Sequence, residues 1–133
     1  MFLGKYKLYF SGKNRLMLPR KIRVELGSED RFYIILGIDG EIWGFNKENW
    51  QKQAEDVLKT PLSLVEGRVK RRNFFSRADE CFLDRQGRFI LPQEFVEKCD
   101  LKNEIGIIGA GDHFEIWDLK ALDKVFLSSS RRT

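Results

Sequence analysis

The sequence has little of what catalysis, metal binding or disulfide bonding requires. Its 133 residues include two cysteines, Cys81 and Cys99, and a single histidine, His113. The cysteines have no CxxC spacing, so they predict neither a zinc site nor a disulfide framework, and we expect both to be small buried side chains. His113 has no cysteine or second histidine near it in sequence, which argues against a metal site or a catalytic dyad. The sequence therefore predicts no catalytic residue, no metal, no cofactor and no small-molecule substrate.

Long hydrophobic runs are also missing. No apolar stretch approaches the roughly 20 residues that a membrane helix needs, and residues 1–10 alternate charged with aromatic side chains instead of forming the core of a signal peptide. We therefore expect an intracellular protein without a membrane anchor. Hydrophobic residues still make up 42% of the chain and eleven residues are Phe, which is enough apolar surface for a folded core.

Charge is distributed unevenly along the chain. Residues 1–27 contain seven basic residues against one acidic residue, and residues 66–77 contain five against one. The formal net charge of the whole chain is only +4, so the remaining segments are acidic. Such separation favours a basic surface that faces a polyanion, with nucleic acid as the first candidate and an acidic membrane as the second. A solvated charged face without a partner is the simpler alternative.

The chain repeats itself once. Residues 8–19 and 81–92 match at a constant offset in their apolar, turn, Arg and Pro positions, and Glu-Ile-Trp at 41–43 recurs at 115–117. This pattern predicts a tandem duplication of a small unit. We divide the chain into a first unit with an appended helix (1–59), a basic linker helix (60–77), a second unit with an appended helix (78–127) and a disordered tail (128–133).

Each unit has the pattern β-β-α-β-β. Alternating side chains in residues 5–10 predict a half-buried strand, and Gly12, Asn14 and Gly87 are residue types that accept the positive φ of a tight turn. Pro19 and Pro92 end the second strands and suit the start of short helices. The remaining strands are predicted at 32–36, 41–45, 105–108 and 114–117. The fold class is mainly β with short helices (α+β), and two units this small must share one core.

Three further helices are predicted outside this pattern. Asn46 can cap a helix whose apolar positions include Trp50 and Ala54, and a second helix after Pro61 carries a basic cluster of Arg68, Arg71 and Arg72. These arginines have two open interpretations, contact with DNA or pairing with acids across a subunit contact. Residues 119–127 mirror the Asn46-capped helix.

Five segments together resemble the MraZ family over residues 1 to about 127. They are Met1–Tyr6, Gly12–Pro19, Asn73–Ser76, Asp84–Arg88 and Phe114–Asp118. The resemblance implies a bacterial transcriptional regulator of the division and cell-wall gene cluster, built from two SpoVT-AbrB-like swapped-hairpin units that form one pseudo-twofold barrel. It also implies assembly into a ring homo-oligomer and a cytoplasmic, nucleoid-associated location.

The family signature is a DxxxR motif in each unit, and here only the second copy matches in full, with Asp84 and Arg88. The first copy has Ser11 in place of Asp and Asn14 in place of the usual Gly. The motif residues that we expect to have a structural role are Ser11, Asp84 and Gly87. The resemblance implies double-stranded DNA as the partner. The implied DNA-binding residues are Lys13, Asn14, Arg15, Arg85 and Arg88 at the turns, with Lys5, Lys7, Arg20, Lys21 and Arg23 as phosphate contacts.

The chemistry of these residues agrees with DNA binding. An arginine fork can bind guanine O6 and N7 together, whereas contacts to phosphate position a protein without reading sequence. A structural role is the alternative for Arg15 and Arg88, and Asp84 is an available partner for Arg88.

We therefore expect a non-enzymatic, sequence-specific regulator that binds direct repeats in a promoter, in its own division and cell-wall operon. One alternative is an assembly module that binds an acidic protein or a membrane surface. The other is an AbrB-type antitoxin, against which the short tail after Leu127 argues.

Overall fold

The computed structural model describes residues 1–132 and confirms the predicted element order. The elements are β1 (Lys5–Tyr9), β2 (Arg15–Met17), α1 (Arg20–Val24), β3 (Arg31–Leu36), β4 (Ile42–Phe45), α2 (Lys47–Leu58), α3 (Val65–Phe75), β5 (Ala78–Phe82), β6 (Arg88–Ile90), α4 (Gln93–Lys98), β7 (Glu104–Gly109), β8 (Phe114–Asp118) and α5 (Leu119–Arg132). The molecule is mainly β with short helices, and each half follows the pattern β-β-α-β-β.

The two halves interleave. Six strands form an antiparallel sheet in the order β1-β7-β8-β4-β3-β5, and β2 and β6 form a separate two-stranded ribbon. A pseudo-twofold axis between β4 and β8 relates the halves. The first strand of each half pairs with the other half, because β1 lies beside β7 and β5 lies beside β3. Neither half has a complete sheet of its own.

The sheet is open, which corrects the expectation of a closed barrel. Within residues 1–132, β1 and β5 are the edges of the large sheet and no backbone ladder joins it to the ribbon. The two arms of each hairpin are joined beside the turn, by a bond from the Ser11 amide to the Arg15 carbonyl in the first and from the Asp84 amide to the Arg88 carbonyl in the second, both 2.9 Å. Beyond these bonds, β2 and β6 pair with each other across the pseudo-twofold axis.

The core lies between the inner face of the sheet and the ribbon. Leu16 and Phe89 are opposite each other in the ribbon and are buried. Phe89 packs edge-on against Phe32 of the sheet, with ring centroids 5.0 Å apart. Burying side chains of this size stabilises the fold by about 1.5–3 kcal/mol each.

Cys81 and Cys99 are both buried and free, as predicted. Burial raises the pKa of the Cys81 thiol to about 12 and that of the Cys99 thiol to about 11. Both thiols are therefore neutral and serve as small apolar side chains.

The outer face of the sheet carries α2 and α5. The Asn46 side chain accepts a hydrogen bond from the Asn49 amide at 3.0 Å, which confirms the predicted helix cap. Trp50 of α2 stacks between Tyr33 of the sheet and Phe74 of α3, with centroid distances of 5.5 and 5.0 Å. The helix α3 therefore packs on α2.

Two further points concern the helices. The helix α5 runs from Leu119 to Arg132, so it extends beyond residue 127, where the sequence predicted the start of the tail. Thr133 lies outside the described residues. Over the part of the chain described, no helix has the length and apolar character needed to cross a bilayer.

Candidate nucleic-acid interface

The outer face of the ribbon presents two arginines. The register pairs Arg15 with Ile90, Leu16 with Phe89 and Met17 with Arg88. Because side chains alternate along a strand and the middle pair is buried, the outer two pairs point away from the core. Met17 and Ile90 are 48% and 65% exposed, and the two arginines are half-buried and line a common cleft. A two-stranded ribbon has the width of the DNA major groove.

The turns have the backbone geometry that their residues predict. Gly12, Asn14 and Gly87 adopt φ values of +81°, +60° and +82°. The tip of each turn also bonds the other half, because the Leu91 amide donates to the Asn14 carbonyl at 2.8 Å and the Leu18 amide donates to the Gly87 carbonyl at 2.9 Å. Each turn is thereby held beside the short helix of the other half.

In the second turn, a carboxylate fixes both the backbone and the arginine. Asp84 Oδ1 accepts hydrogen bonds from the amides of Gln86 and Arg88 at 2.9 Å, and Oδ2 accepts one from Arg88 Nε at 2.8 Å. The amide of Arg88 is the main cause of the lowered pKa of Asp84. The structural role considered for Arg88 is therefore real. It uses only Nε, and neither terminal nitrogen has an acceptor within residues 1–132.

The first turn reaches the same geometry without a carboxylate. Arg15 Nε donates to the Ser11 carbonyl at 2.8 Å and to the Ser11 hydroxyl at 3.3 Å. The residue four positions before the arginine thus holds Nε in both turns. Ser11 preserves the position of the guanidinium but supplies no opposing charge, so the two turns differ electrostatically.

Most of the predicted cations have no ion-pair partner among the residues that the structure describes. These are Lys13, Arg15, Arg20, Lys21, Arg23 and Arg85. Arg20, Arg23 and Arg85 come from different halves of the chain and line one cleft together. The structure therefore brings α1 and the second turn into a single basic surface.

Lys5 and Lys7 lie apart from this surface, on the edge strand β1. Lys5 Nζ is 3.5 Å from Asp123 and lies over the Phe126 ring, and Lys7 Nζ is 3.1 Å from Glu104. The hydrogen bond to Glu104 is the main cause of the raised pKa of Lys7. Both lysines are bound to acids of the protein itself.

Two of the three arginines in the basic cluster of α3 have a structural role. Arg68 Nη1 donates to the carbonyls of Leu62 and Ser63 at 3.1 Å, and Arg71 Nη2 donates to the Thr60 carbonyl at 3.0 Å. These arginines hold the connection between α2 and α3. These contacts could not be predicted from residue types, because the acceptors are backbone carbonyl oxygens, which every residue carries.

Three residues of the interface were not predicted. Met17 and Ile90 are exposed on the ribbon, and Gln93 Oε1 accepts a hydrogen bond from Asn14 Nδ2 at 2.8 Å. The alternation of the strands that follow the turns could have indicated the first two. Gln93 becomes visible only once the partner of the first turn is known.

His113 belongs to a separate network on β8 and its preceding turn. Its Nδ1 is 2.7 Å from Asp112 and its Nε2 is 2.9 Å from Glu115, which also accepts a hydrogen bond from Trp117 Nε1 at 3.0 Å. Burial by itself would lower the pKa of His113, but the hydrogen bonds to Glu115 and Asp112 outweigh burial and raise it. Burial would raise the pKa of Glu115, but its hydrogen bonds with His113 and Trp117 outweigh burial and lower it.

Comparison with known proteins gives the same family for both halves. The family model described as "MraZ protein, putative antitoxin-like" matches residues 1–73 and again residues 74–131. The chain is 38% identical over 117 residues to the protein named Transcriptional regulator MraZ of Caldicellulosiruptor bescii, covering 88% of this chain and 80% of that protein. It is 36% identical over 124 residues to the protein of the same name from Heliobacterium modesticaldum, covering 93% and 85% of the two chains. The corresponding Clostridium acetobutylicum protein is 38% identical over 117 residues, covering 88% and 81%.

Proposed function

This chain belongs to the MraZ family of transcriptional regulators and is not an enzyme, and from that premise we propose that it binds double-stranded DNA through the ribbon β2–β6 and its two turns. One observation carries the proposal. Arg15 and Arg88 lie on the same face of the ribbon and each is held through Nε, while their terminal nitrogens have no hydrogen-bond acceptor within residues 1–132.

The ribbon supplies the sequence-reading contacts. In the major groove, the terminal nitrogens of an arginine can donate to guanine O6 and N7, and each such bidentate pair discriminates by about 1–3 kcal/mol. Because Nε is already held, little side-chain entropy remains to be lost on binding. Met17 and Ile90 complete the face with apolar groups suited to thymine methyls.

The surrounding cations supply contacts to the DNA backbone. Arg20, Lys21, Arg23 and Arg85 are available for this without breaking an ion pair inside residues 1–132. Lys5 and Lys7 contribute only by exchanging Asp123 and Glu104 for phosphate. If four phosphates are engaged, the slope of log Kobs against log salt concentration is about −3.6.

We further propose that several copies form a ring homo-oligomer and that the ring binds direct repeats in the promoter of its own division and cell-wall operon. The protein is then cytoplasmic and nucleoid-associated. Exposed apolar side chains support self-assembly, and one group of them lies just before and at the start of α3 and in α5. They are Leu62, Leu64, Val65, Val69, Val125, Phe126 and Leu127. Joining several ribbons raises their effective concentration at repeated sites, so repeats are bound far more tightly than a single site.

The test is a titration of promoter DNA carrying direct repeats, and of a shuffled sequence, at two salt concentrations. Wild type should prefer the repeats and lose affinity as salt rises. Arg15→Ala should lose at least fivefold in affinity for the repeats, because it removes a base-reading fork. Lys52→Ala on α2, which removes a lysine paired with Glu48, is the matched control and should bind like wild type. Salt-insensitive binding, or unchanged affinity of a folded Arg15→Ala protein, would count against the proposal.

A further inference from the structure

We infer that the two turn–helix junctions of this chain are unequal, and that only the junction between the second turn and α1 binds backbone phosphate. This inference rests on the proposed binding of DNA and assigns a ligand group to one part of that surface. It follows from how the halves interleave, because each turn lies beside the helix of the other half.

At the junction of the second turn with α1, three arginines line an open cleft of about 400 Å³. They are Arg20, Arg23 and Arg85, and none of their guanidinium groups donates a hydrogen bond or forms an ion pair inside the described chain. Arg23 is half-buried and lies across Gly87, where a Cβ atom would collide with its Nη1. The absence of a side chain at position 87 is what lets this guanidinium lie there. A half-buried cation without an acceptor is prepared for an anion.

The acids of this cleft leave it positive. Glu29 lies 3.8 Å from both Arg31 and Lys47, and Asp84 is bound to Arg88. Asp30 is the one lining carboxylate that has no ion pair inside residues 1–132. Three uncommitted guanidinium groups therefore face one uncommitted carboxylate.

The other junction has the opposite character. At the positions that correspond to Arg20, Lys21 and Arg23 of α1, the helix α4 carries Gln93, Glu94 and Val96. Asn14 replaces Gly87, and its amide donates to Gln93 at 2.8 Å, which in turn donates to Glu97 at 3.1 Å.

This chain of amide hydrogen bonds ends on the Glu97 carboxylate, which repels phosphate. Lys13 is then left to contact base edges, without a phosphate pocket beside it.

Matched substitutions separate the two junctions, since each residue can be exchanged for the one at the corresponding position. Arg20→Gln with Arg23→Val converts the α1 junction toward the α4 junction, and Lys13→Gln removes one cation from the first turn. For each protein, the slope of log Kobs against log salt concentration is measured on repeat DNA and on shuffled DNA.

The double variant is expected to lose about 0.9 in slope for each phosphate released, with the same loss of affinity on both DNAs, because phosphate contacts carry no sequence information. Lys13→Gln is expected to keep the wild-type slope and to lose affinity on repeat DNA only. Arg20 is exposed, so Arg20→Gln alone decides the matter if the double variant does not fold.

The failures can be told apart. If wild type binds no DNA, the proposed function falls. If wild type binds DNA but the double variant or Arg20→Gln keeps the full slope, only this inference is overturned. An equal loss of slope in Lys13→Gln also overturns it, because both junctions would then bind phosphate.

Discussion

At the scale of single residues, the hydrogen bond at Nε of each turn arginine leaves only its terminal nitrogens for other contacts. In both turns Nε is held by the residue four positions earlier, and the terminal nitrogens are left outside. The two anchors differ in charge, since Asp84 is ionised and Ser11 is neutral. A difference in acid sensitivity between the turns follows directly from this exchange.

Asp84→Ser should remove that acid sensitivity from the second turn. The folded state lowers the pKa of Asp84, chiefly through the Arg88 amide, so the stabilisation is present above the ordinary aspartate pKa of about 3.9 and is lost as pH falls through the folded value. Thermal unfolding between pH 5 and pH 2 should therefore fall less steeply in the variant. Ser11→Asp is the reciprocal control and should steepen the fall. Identical pH profiles for all three proteins would contradict the role assigned to this carboxylate.

His113 should stabilise the fold at mildly acidic pH. Its pKa is raised in the folded protein, so its contribution is fully present below the ordinary histidine pKa of about 6.5 and is lost as pH rises through the higher folded value. The melting temperature of wild type should fall from pH 6 to pH 8.5, and His113→Gln should flatten that fall. As the chain has one histidine, an NMR titration reports its pKa without ambiguity. A measured pKa at or below 6.5 would refute this assignment.

At the scale of elements, the turns and the helix cap could be predicted from the sequence, whereas the pairing of the strands could not. The turns at Gly12, Asn14 and Gly87 and the cap at Asn46 follow from residue types at single positions. The partner of β1 is β7, which lies about a hundred residues away, and nothing in either strand specifies that register. The residues at the tips of the turns were therefore predicted. The helix that lies beside each tip could be identified only in the structure.

Gly87→Ala should destabilise the protein more than Gly12→Ala. Both glycines have φ near +80°, which costs an alanine about 1 kcal/mol, but only the Cβ at position 87 collides with Arg23. At position 12 the nearest atom, Arg15 Nη2, is 3.7 Å away. Urea unfolding of the two variants measures the difference, and equal losses would show that Arg23 moves aside at no cost.

Asn46→Ala should destabilise the protein by about 1 kcal/mol, because it leaves the Asn49 amide without its cap. Asn46→Ser keeps an acceptor at the same position and should retain most of the stability. Chemical denaturation of both variants is the measurement. A loss in Asn46→Ser as large as that in Asn46→Ala would assign the effect to the Asn46 bond to the Glu25 carbonyl instead.

At the scale of the whole molecule, the exposed apolar side chains of α3 and α5 should control assembly. Val65→Asp and Val125→Asp place a charge on side chains that are 67% and 40% exposed, so they should lower the mass in solution without unfolding the chain. Ile38→Asp, in the turn between β3 and β4, changes an even more exposed apolar side chain, 80% exposed, and as the control should leave the mass unchanged. Light scattering with size-exclusion chromatography measures all four proteins. A wild-type mass of 15.7 kDa, that of one chain, would contradict assembly.

The interleaving of the two halves within one polypeptide has a last consequence. A dimer of two identical chains would carry identical turns and would match a palindrome, which reads the same from either end. Fusion lets the halves diverge, so every copy carries Ser11 on one side and Asp84 on the other in fixed proportion. The fused molecule is therefore asymmetric, and its two turns are chemically different. If the protein binds DNA as proposed, this asymmetry suits operators whose elements all point the same way, and each bound copy then has an orientation relative to the start of transcription.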